Sequence, residues 1–283
     1  MNNEIELSVV LPCLNEEEAI ALCINKIKEV LAKEKINGEI IVADNGSSDH
    51  SREIAQKLGA RVVIETQRGY GSAYLRGLKE VKGKYIIIGD ADNSYDFYDI
   101  PKFLKPLKEG FDFVMGSRFS GKIHKKAMPW PNRYIGNPIL SGMCRLFFNT
   151  RLSDIHCGMR GFTAGSYRRM KLRSLGMEFA TEMVVSALQI GLKTKEVPIN
   201  YHIRKGASKL NPLADAWRHI RFMLLYCPVW LYFLPGLIGF ISGLFLLIIL
   251  QRGPLLFLGH SWDIHFIAFA SVTTILFYQV LNL

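Results

Sequence analysis

The sequence predicts an open, mostly parallel α/β domain followed by a membrane-inserting helical hairpin, and three observations lead there. Up to Asp92, short apolar runs alternate with helical segments, the pattern of a parallel sheet covered on both faces. Polar clusters recur where the apolar runs end. Two long stretches near the C-terminus then carry no charged residue at all.

Residues 5–14 (IELSVVLPCL) read as a strand, 16–35 as a helix, and 38–49 (GEIIVADNGSSD) as a second strand ending in a polar turn. The pattern repeats with a helix over 51–59, a strand over 60–66, a helix over 71–82 and a strand over 84–92 (KYIIIGDAD). Past residue 100 the alternation loosens. Residues 112–121 suggest a strand running into a loop, and 121–138, with three prolines and no clear period, reads as a mobile loop over the site. Helical spacing returns over 138–149 and 178–191, and 194–204 is strand-like.

Residues 211–228 are amphipathic, with Trp217, Ile220, Leu224 and Leu225 on one side and Arg218, His219 and Arg221 on the other, which predicts a helix lying on a membrane surface. Residues 229–250 contain 22 positions without a charge and 264–283 form a second apolar run, so both match the ~20 residues needed to cross a bilayer core. The expected organisation is therefore a catalytic domain over 1–210, an interfacial helix over 211–228, and two spans within 229–283. The N-terminus lacks a basic stretch followed by an apolar one, and Arg218 and Arg221 precede the first span, so the front domain is expected on the cytoplasmic side of a membrane. Hairpin anchors of this size often associate, which leaves a homo-oligomer open.

The formal net charge is +10, and after position 228 only Arg252 and Asp263 are charged, so the excess belongs to the front domain. This favours anionic partners. Nucleic acid is set aside because the basic residues form no recognisable reader; a domain on an anionic leaflet handling phosphates accounts for the charge more simply. The five cysteines form no C-x-x-C pair and suit a reducing compartment.

Open α/β sheets bind ligands at the carboxyl ends of their strands. Gathered there are Asn15 and Glu16, the stretch from Asp44 to Asp49, Arg68 to Gly71, and Asp90-Ala91-Asp92 with Asn93. In an extended segment, residues i and i+2 point the same way, so Asp90 and Asp92 together outline a site for a hard divalent cation, Mg²⁺ or Mn²⁺, held with substrate phosphates. The other reading of the pair is a simple turn cap. Glu16 and Asp44 offer acceptors for a base or ribose, Gly46 lets its turn close, and Arg68 offers a donor to phosphate. A competing dinucleotide fingerprint, Gly69 and Gly71 with Asp90 downstream, is weak, because Tyr74 replaces the third glycine.

With these residues in place, the sequence resembles family-two glycosyltransferases of the GT-A fold, and among them polyprenyl-phosphate glycosyltransferases such as dolichyl-phosphate mannose or glucose synthases. Eight blocks carry the resemblance in order: SVVLPCLNEEE, IIVADNGSSDHS, RGYGSA, IIIGDADNSYD, FVMGSRF, DIHCGMRGF, FATEM and EVPINYHIRKGASKL. The resemblance implies that Pro12, Asn15, Glu16, Asp44, Arg68, Gly69, Asp90, Ala91 and Asp92 bind a nucleotide sugar, with Asp90 and Asp92 on the metal and Arg204 near the diphosphate. It also implies that Arg118, Arg133 and Asn137 grip an acceptor phosphate, and that Asp154 orients the acceptor or acts as base toward a hydroxyl. The activity implied is inverting transfer of a hexose from a UDP-glucose- or GDP-mannose-type donor to undecaprenyl or dolichyl phosphate in the bilayer. Transfer to a sugar or lipid hydroxyl, and a non-catalytic nucleotide-binding scaffold, remain as alternatives. The chain departs from the family pattern at DADNS, where relatives read D-A-D-L-Q, and at Asn137, where a small hydroxyl residue is usual.

Overall fold

The computed structural model describes residues 4–206, 212–227, 229–253, 255–257, 260–262 and 264–282. Residues 207–211 and 228, and the last position of the second predicted span, lie outside the described residues. The chain divides into two compact units, Met1–Phe222 and Met223–Leu283.

In the first unit, the mostly apolar run Leu7–Cys13 forms β1, followed by α1 (Ile20–Lys33), β2 (Gly38–Asp44), α2 (Ser51–Lys57), β3 (Arg61–Ile64), α3 (Tyr70–Leu78) and β4 (Tyr85–Ile88). These strands pair in parallel. Leu7, Val9, Val10 and Leu11 are wholly buried, as are Ile86 and Ile87 of β4, because helices cover both faces of the sheet. Each such side chain contributes about 1.5–3 kcal/mol. Glu16–Glu18 stay outside α1 in a turn, since the Glu17 N–H donates to Asp49 Oδ2 (3.1 Å) across the site.

Later elements are α4 (Ile100–Lys108), β5 (Phe113–Ile123), α5 (Asn137–Phe148), β6 (Arg160–Thr163), α6 (Ala164–Met170), α7 (Phe179–Gln189) and β7 (Thr194–Tyr201). The sheet order is β3-β2-β1-β4-β6-β5-β7, with β6 antiparallel to both neighbours and β5 parallel to β7. β6 escapes the sequence pattern because it is four residues long and includes the buried Arg160.

Two expectations are corrected. The stretch 121–138 is not an unstructured loop: β5 runs to Ile123 against Asn200 and Tyr201 of β7, and a π-helical turn, Asn132–Gly136, leads straight into α5. Pro129 and Pro131 fall before or in the first turn of this helical stretch, where a missing N–H costs nothing, and Pro138 sits where the π-helical turn passes into α5. The second concerns the helix α8 (Pro212–Leu225), in which His219 was read with Arg218 and Arg221 on the polar side. Asp215 and His219, one turn apart, are instead buried, and Trp217 is exposed. His219 Nδ1 shares a 2.7 Å hydrogen bond with Thr181 Oγ1, and its ring meets His156 edge-on at 4.5 Å.

In the second unit, α9 (Leu234–Leu250), entered through a π-helical turn Val229–Phe233, packs against α10 (Ile264–Leu281). Between them Leu255–Phe257 (β8) pairs antiparallel with His260–Trp262 (β9). Val229–Leu250 and Ile264–Leu281 are long and apolar enough to cross a membrane. Gly239 faces Phe277 and Gly243 faces Thr274, whose backbone N would lie 3.0 Å from an added Cβ; small residues let such helices approach closely.

Two outcomes follow for the first unit. A Cβ at Gly71 would lie 2.1 Å from the Ser174 carbonyl oxygen, so Gly71→Ala is expected to lower stability by about 2 kcal/mol or more, read as a lower melting temperature. Burial, chiefly, pushes the His219 imidazole down to about 4 from 6.5, and His156 moves the same way. The unfolded chain takes up a proton as pH falls through 6.5 while the folded chain does not until about 4. Stability is thus fully present above pH 6.5 and declines between 6.5 and 4, by roughly 3 kcal/mol for His219. Melting curves across that range are expected to show the decline, with a shallower slope in His219→Gln.

Candidate active site

The carboxyl ends of β1 and β2 are tied together by short polar side chains. Asn15, held at φ 52°, donates its N–H to Ser47 Oγ (2.9 Å) and accepts from the Ser48 N–H (2.8 Å). The Glu16 N–H donates to Ser51 Oγ (2.8 Å). Asp44, fully buried at the end of β2, accepts from the N–H groups of Gly46 (3.0 Å) and Ser47 (3.2 Å) and pairs with Arg52 Nε at 2.7 Å. In this structure Asp44 shapes the turn in which Gly46 adopts φ 85°. Pro12 sits beside it, in register with Ala43. Asn15, Glu16, Glu17, Glu18, Ser48 and Asp49 line an open pocket of about 310 Å³ with Lys205 and Gly206. Lys205 and Arg52 carry no signal in isolation; only the fold brings them to this edge.

Arg68 donates from Nη1 to the Asn45 carbonyl (2.8 Å), and the Gly69 N–H donates to Asn45 Oδ1 (2.8 Å). The glycines serve close packing. A Cβ at Gly69 would lie 2.1 Å from the Leu175 carbonyl oxygen, and the N–H groups of Gly71 and Ser72 donate to the carbonyls of Gly176 (3.2 Å) and Leu175 (3.0 Å). With these helix-start donors used inside the protein, the dinucleotide fingerprint has no phosphate cradle here.

What α3 supplies instead is support for Asp90. The hydroxyls of Tyr70 and Tyr74 donate to Asp90 Oδ1 at 2.9 and 3.3 Å, so the tyrosine that spoils the glycine motif has its own task. Asp92 is buried and accepts from the Ser94 hydroxyl (2.5 Å) and N–H (3.0 Å). Asn93, at φ 60°, accepts from Lys26 Nζ (3.0 Å). The departure at DADNS is thus a left-handed turn closed by a serine. Ala91, buried between the carboxylates, offers its carbonyl to Cys23 Sγ (3.4 Å).

Segment 202–205 lies across this turn: the His202 N–H donates to the Ser94 carbonyl (2.8 Å), the Lys205 N–H donates to the Asp92 carbonyl (2.9 Å), and Arg204 Nη2 stands 3.5 Å from Asp92 Oδ2. From the other side, Gly158 approaches so closely that a Cβ would lie 2.9 Å from Asp90 Oδ2. Burial, and then the neighbouring Asp92 charge, push the Asp90 carboxyl up to about 6, against the tyrosine hydrogen bonds.

Two crowded carboxylates, with one arginine at 3.5 Å, form an oxygen donor set with unmet negative charge, which fits a hard divalent ion. Among the described residues no third Asp, Glu, His or Cys joins them. That suits a metal completed by phosphate and water rather than one caged by protein.

The residues expected on the acceptor side are built around an ion pair. Arg118, at the end of the buried part of β5, donates from Nε and Nη2 to Asp154 Oδ2 and Oδ1, both at 2.7 Å, and from its N–H at 2.9 Å. Both side chains are buried. Arg118, expected at the acceptor phosphate, and Asp154, expected to orient the acceptor or act as base toward a hydroxyl, thus pair with each other, and Nη1 is the terminal nitrogen that Asp154 does not engage. Arg118 also lies over the Tyr201 ring at 5.3 Å.

Glu196 of β7, which the sequence reading missed, holds the turn in place by accepting from the N–H groups of Ser153 (2.9 Å) and Asp154 (3.0 Å). Arg160 is likewise unforeseen; it reaches the carbonyls of Ile155 (3.0 Å), Cys157 (2.9 Å) and Ala180 (2.5 Å) from within the core. Arg133 and Asn137 lie one turn apart on the segment leading into α5. There the Arg133 guanidinium stacks 5.3 Å from the Tyr134 ring, and Asn137 Nδ2 approaches Met128 Sδ at 3.5 Å.

The comparisons agree with this fold. Residues 8–176 match the model of glycosyl transferase family 2. The low-salt glycan biosynthesis hexosyltransferase Agl6 of Haloferax volcanii is 43% identical over 248 residues, covering 87% of this chain; the chain spans 60% of that relative's length. The dolichyl-phosphate hexose transferase of the same organism is 30% identical over 213 residues, 74% of this chain and 88% of the relative. Among solved structures, glucosyl-3-phosphoglycerate synthase from Mycobacterium tuberculosis, in complex with Mn²⁺, UDP and glucosyl-3-phosphoglycerate, superposes with a TM-score of 0.62 at 23% identity, covering 78% of this chain and 80% of that one. An open sheet with one antiparallel strand, a carboxylate pair at its carboxyl edge and a family match over most of the first unit lead to one conclusion: the chain belongs to glycosyltransferase family 2 and has the GT-A fold.

Proposed function

We propose that this glycosyltransferase moves a hexose from a nucleotide sugar to a polyprenyl phosphate at the cytoplasmic face of a membrane. The observation that carries this reading is the commitment of Asp154 to Arg118. The buried carboxylate on the acceptor side is already hydrogen-bonded through both oxygens, so the site favours an acceptor that arrives ionised over a hydroxyl needing a base. A lipid monophosphate qualifies, since its second pKa is about 6. The two apolar helices would hold the chain where such an acceptor resides, and the relative named dolichyl-phosphate hexose transferase supports the choice.

In this reading the pocket beside Asn15, Glu16 and Asp44 receives the nucleoside, with Pro12, Arg68 and Gly69 contributing from the neighbouring strand ends. Asp90 and Asp92 would hold Mg²⁺ or Mn²⁺, which when bound supplies positive charge to the diphosphate as it departs. Arg204, carried on the segment over Asp92, adds charge to the same leaving group. Arg133, Asn137 and the remaining Nη1 of Arg118 face the acceptor phosphate. Attack opposite the leaving group would invert the anomeric configuration. Positioning and charge neutralisation do most of the work, because no proton has to be removed.

Transfer of radiolabelled sugar from a panel of UDP- and GDP-sugars to undecaprenyl or dolichyl phosphate is expected to give an organic-soluble product with Mg²⁺ or Mn²⁺ and none with chelator. Label appearing only on a hydroxyl acceptor, or retention at the anomeric carbon, sinks the proposal. Asp92→Asn is expected to lower turnover by about 10²- to 10³-fold, with the melting temperature nearly unchanged. Asp154→Asn is expected to destabilise the protein by roughly 3–5 kcal/mol by leaving Arg118 buried without a counter-charge, whereas Arg118→Met with Asp154→Leu recovers much of that loss. A folded, stable Asp154→Asn protein that is inactive would instead make Asp154 a base.

A further inference from the structure

The sheet ladder does not hold Arg118. Ser117 of β5 stands opposite Pro198 of β7 and Lys122 opposite Asn200, so residues 118–121 bulge away from the ladder against Ile199. A bulge of this kind re-aims the side chains it carries. The Arg118 N–H accordingly leaves the sheet and donates to Asp154. Two neighbours then fix the guanidinium. Asp154 takes Nε and Nη2 along the edge of the fork, and Cζ lies over the Tyr201 ring, 5.3 Å from its centre. Hydrogen bonds to one carboxylate let the guanidinium plane rock about that edge; an aromatic face against the plane resists the rocking and attracts the cation.

Tyr201 is itself placed from several sides. It is the last residue of β7 and stands in register with Ile123 of β5; its carbonyl accepts from the His124 N–H (3.0 Å), and it forms an isolated antiparallel bridge with Tyr95. The two tyrosine rings meet at 5.4 Å with an angle of 59°. Tyr95 is buried, and its hydroxyl accepts from the N–H of Gly158 (2.7 Å), the glycine that lies against Asp90. An unbroken series of contacts therefore runs from Asp90 through Gly158, Tyr95 and Tyr201 to Arg118. Burial, chiefly, raises the Tyr201 phenol above its ordinary pKa of 10 against the pull of Arg118, with the Asp92 and Asp90 charges adding to the rise. The cation thus meets a neutral ring.

We propose that Tyr201 is a positioning residue for the acceptor: its ring holds the Arg118 guanidinium so that Nη1, the nitrogen Asp154 does not engage, meets the incoming group. The inference rests on placing Arg118 at the acceptor, and not on that acceptor being a lipid phosphate. Plain filling of the sheet edge is the competing task, and any ring of the same shape would meet it. The two differ in what the ring's electrons do. Attraction for a cation weakens as fluorine withdraws charge from the ring face, whereas shape and burial barely change.

The test places Tyr201→Phe, and then mono-, di- and trifluorinated phenylalanine at the same position, in the full chain. Michaelis constants are measured for both substrates, with whichever nucleotide sugar and acceptor support transfer. Tyr201→Phe keeps the ring and is expected to leave the acceptor constant within about twofold of wild type. Added fluorines raise that constant in steps, to about tenfold for the trifluoro ring, while the donor constant stays within about twofold. A flat series, equal steps in both constants, or steps that persist in Arg118→Met with Asp154→Leu protein overturn the proposal. Steps seen with a hydroxyl acceptor keep the assignment of Tyr201 and refute the lipid-phosphate reading alone. A flat series with polyprenyl phosphate does the reverse. If no acceptor takes up label, the series is read by calorimetric titration with citronellyl phosphate, a soluble prenyl phosphate: weakening with fluorine supports the assignment, and binding that ignores fluorine, or no binding, overturns it.

Discussion

Much of the first unit is organised around the difficulty of keeping two carboxylates, Asp90 and Asp92, side by side at the end of a buried strand. Burial and mutual repulsion both disfavour the charged forms, and the surroundings offset this with oriented dipoles: two tyrosine hydroxyls on Asp90, and a serine hydroxyl and N–H on Asp92. These partners come from α3 and from the turn itself, so α3 must lie close to the sheet. That closeness is what Gly69 and Gly71 permit by letting the start of α3 rest on the Ser174–Gly176 backbone. Arg204 then arrives from the segment after β7. Full neutralisation is still lacking, and a divalent cation with its diphosphate would complete it.

The acceptor side solves a different problem. Arg118 and Asp154 are both buried, and a pair of this kind is tolerated only when geometry is good and the remaining hydrogen-bonding groups are met. Glu196 meets the N–H groups of Ser153 and Asp154, while Arg160 binds the carbonyls on either side of His156. The same loop carries Gly158 against Asp90. A fixed loop, residues 153–158, thus lies beside the carboxylate pair.

Exposed apolar surface is distributed over the chain. Besides the apolar helices of the second unit, the catalytic unit presents the exposed Ile139 and Leu146 of α5 and the exposed Trp217 of α8. α8 is anchored inward through Asp215 and His219, so its aromatic residue faces outward by necessity: on a helix, opposite sides cannot both be buried against one domain.

Periodicity and composition alone determined the β/α alternation, the two apolar helices and the strand-end position of Asp90 and Asp92, because each depends on spacing within a short window. The family blocks named Arg118, Asp154 and Arg204 but not their relations. That Arg118 and Asp154 consume each other's charge, that Tyr74 serves Asp90, and that Glu196 and Arg160 hold the acceptor loop depend on contacts across tens of residues. β6 was hidden because a four-residue strand containing a buried arginine has no apolar alternation. His219 was misassigned because a histidine looks polar in a helical pattern, whereas a neutral, hydrogen-bonded imidazole packs as core. Residues 121–138 read as a loop because three prolines and the lack of a clear period hid the end of β5 and the π-helical turn. Sequence periodicity reveals that a helix has two faces, and only the tertiary structure decides which of them the protein covers.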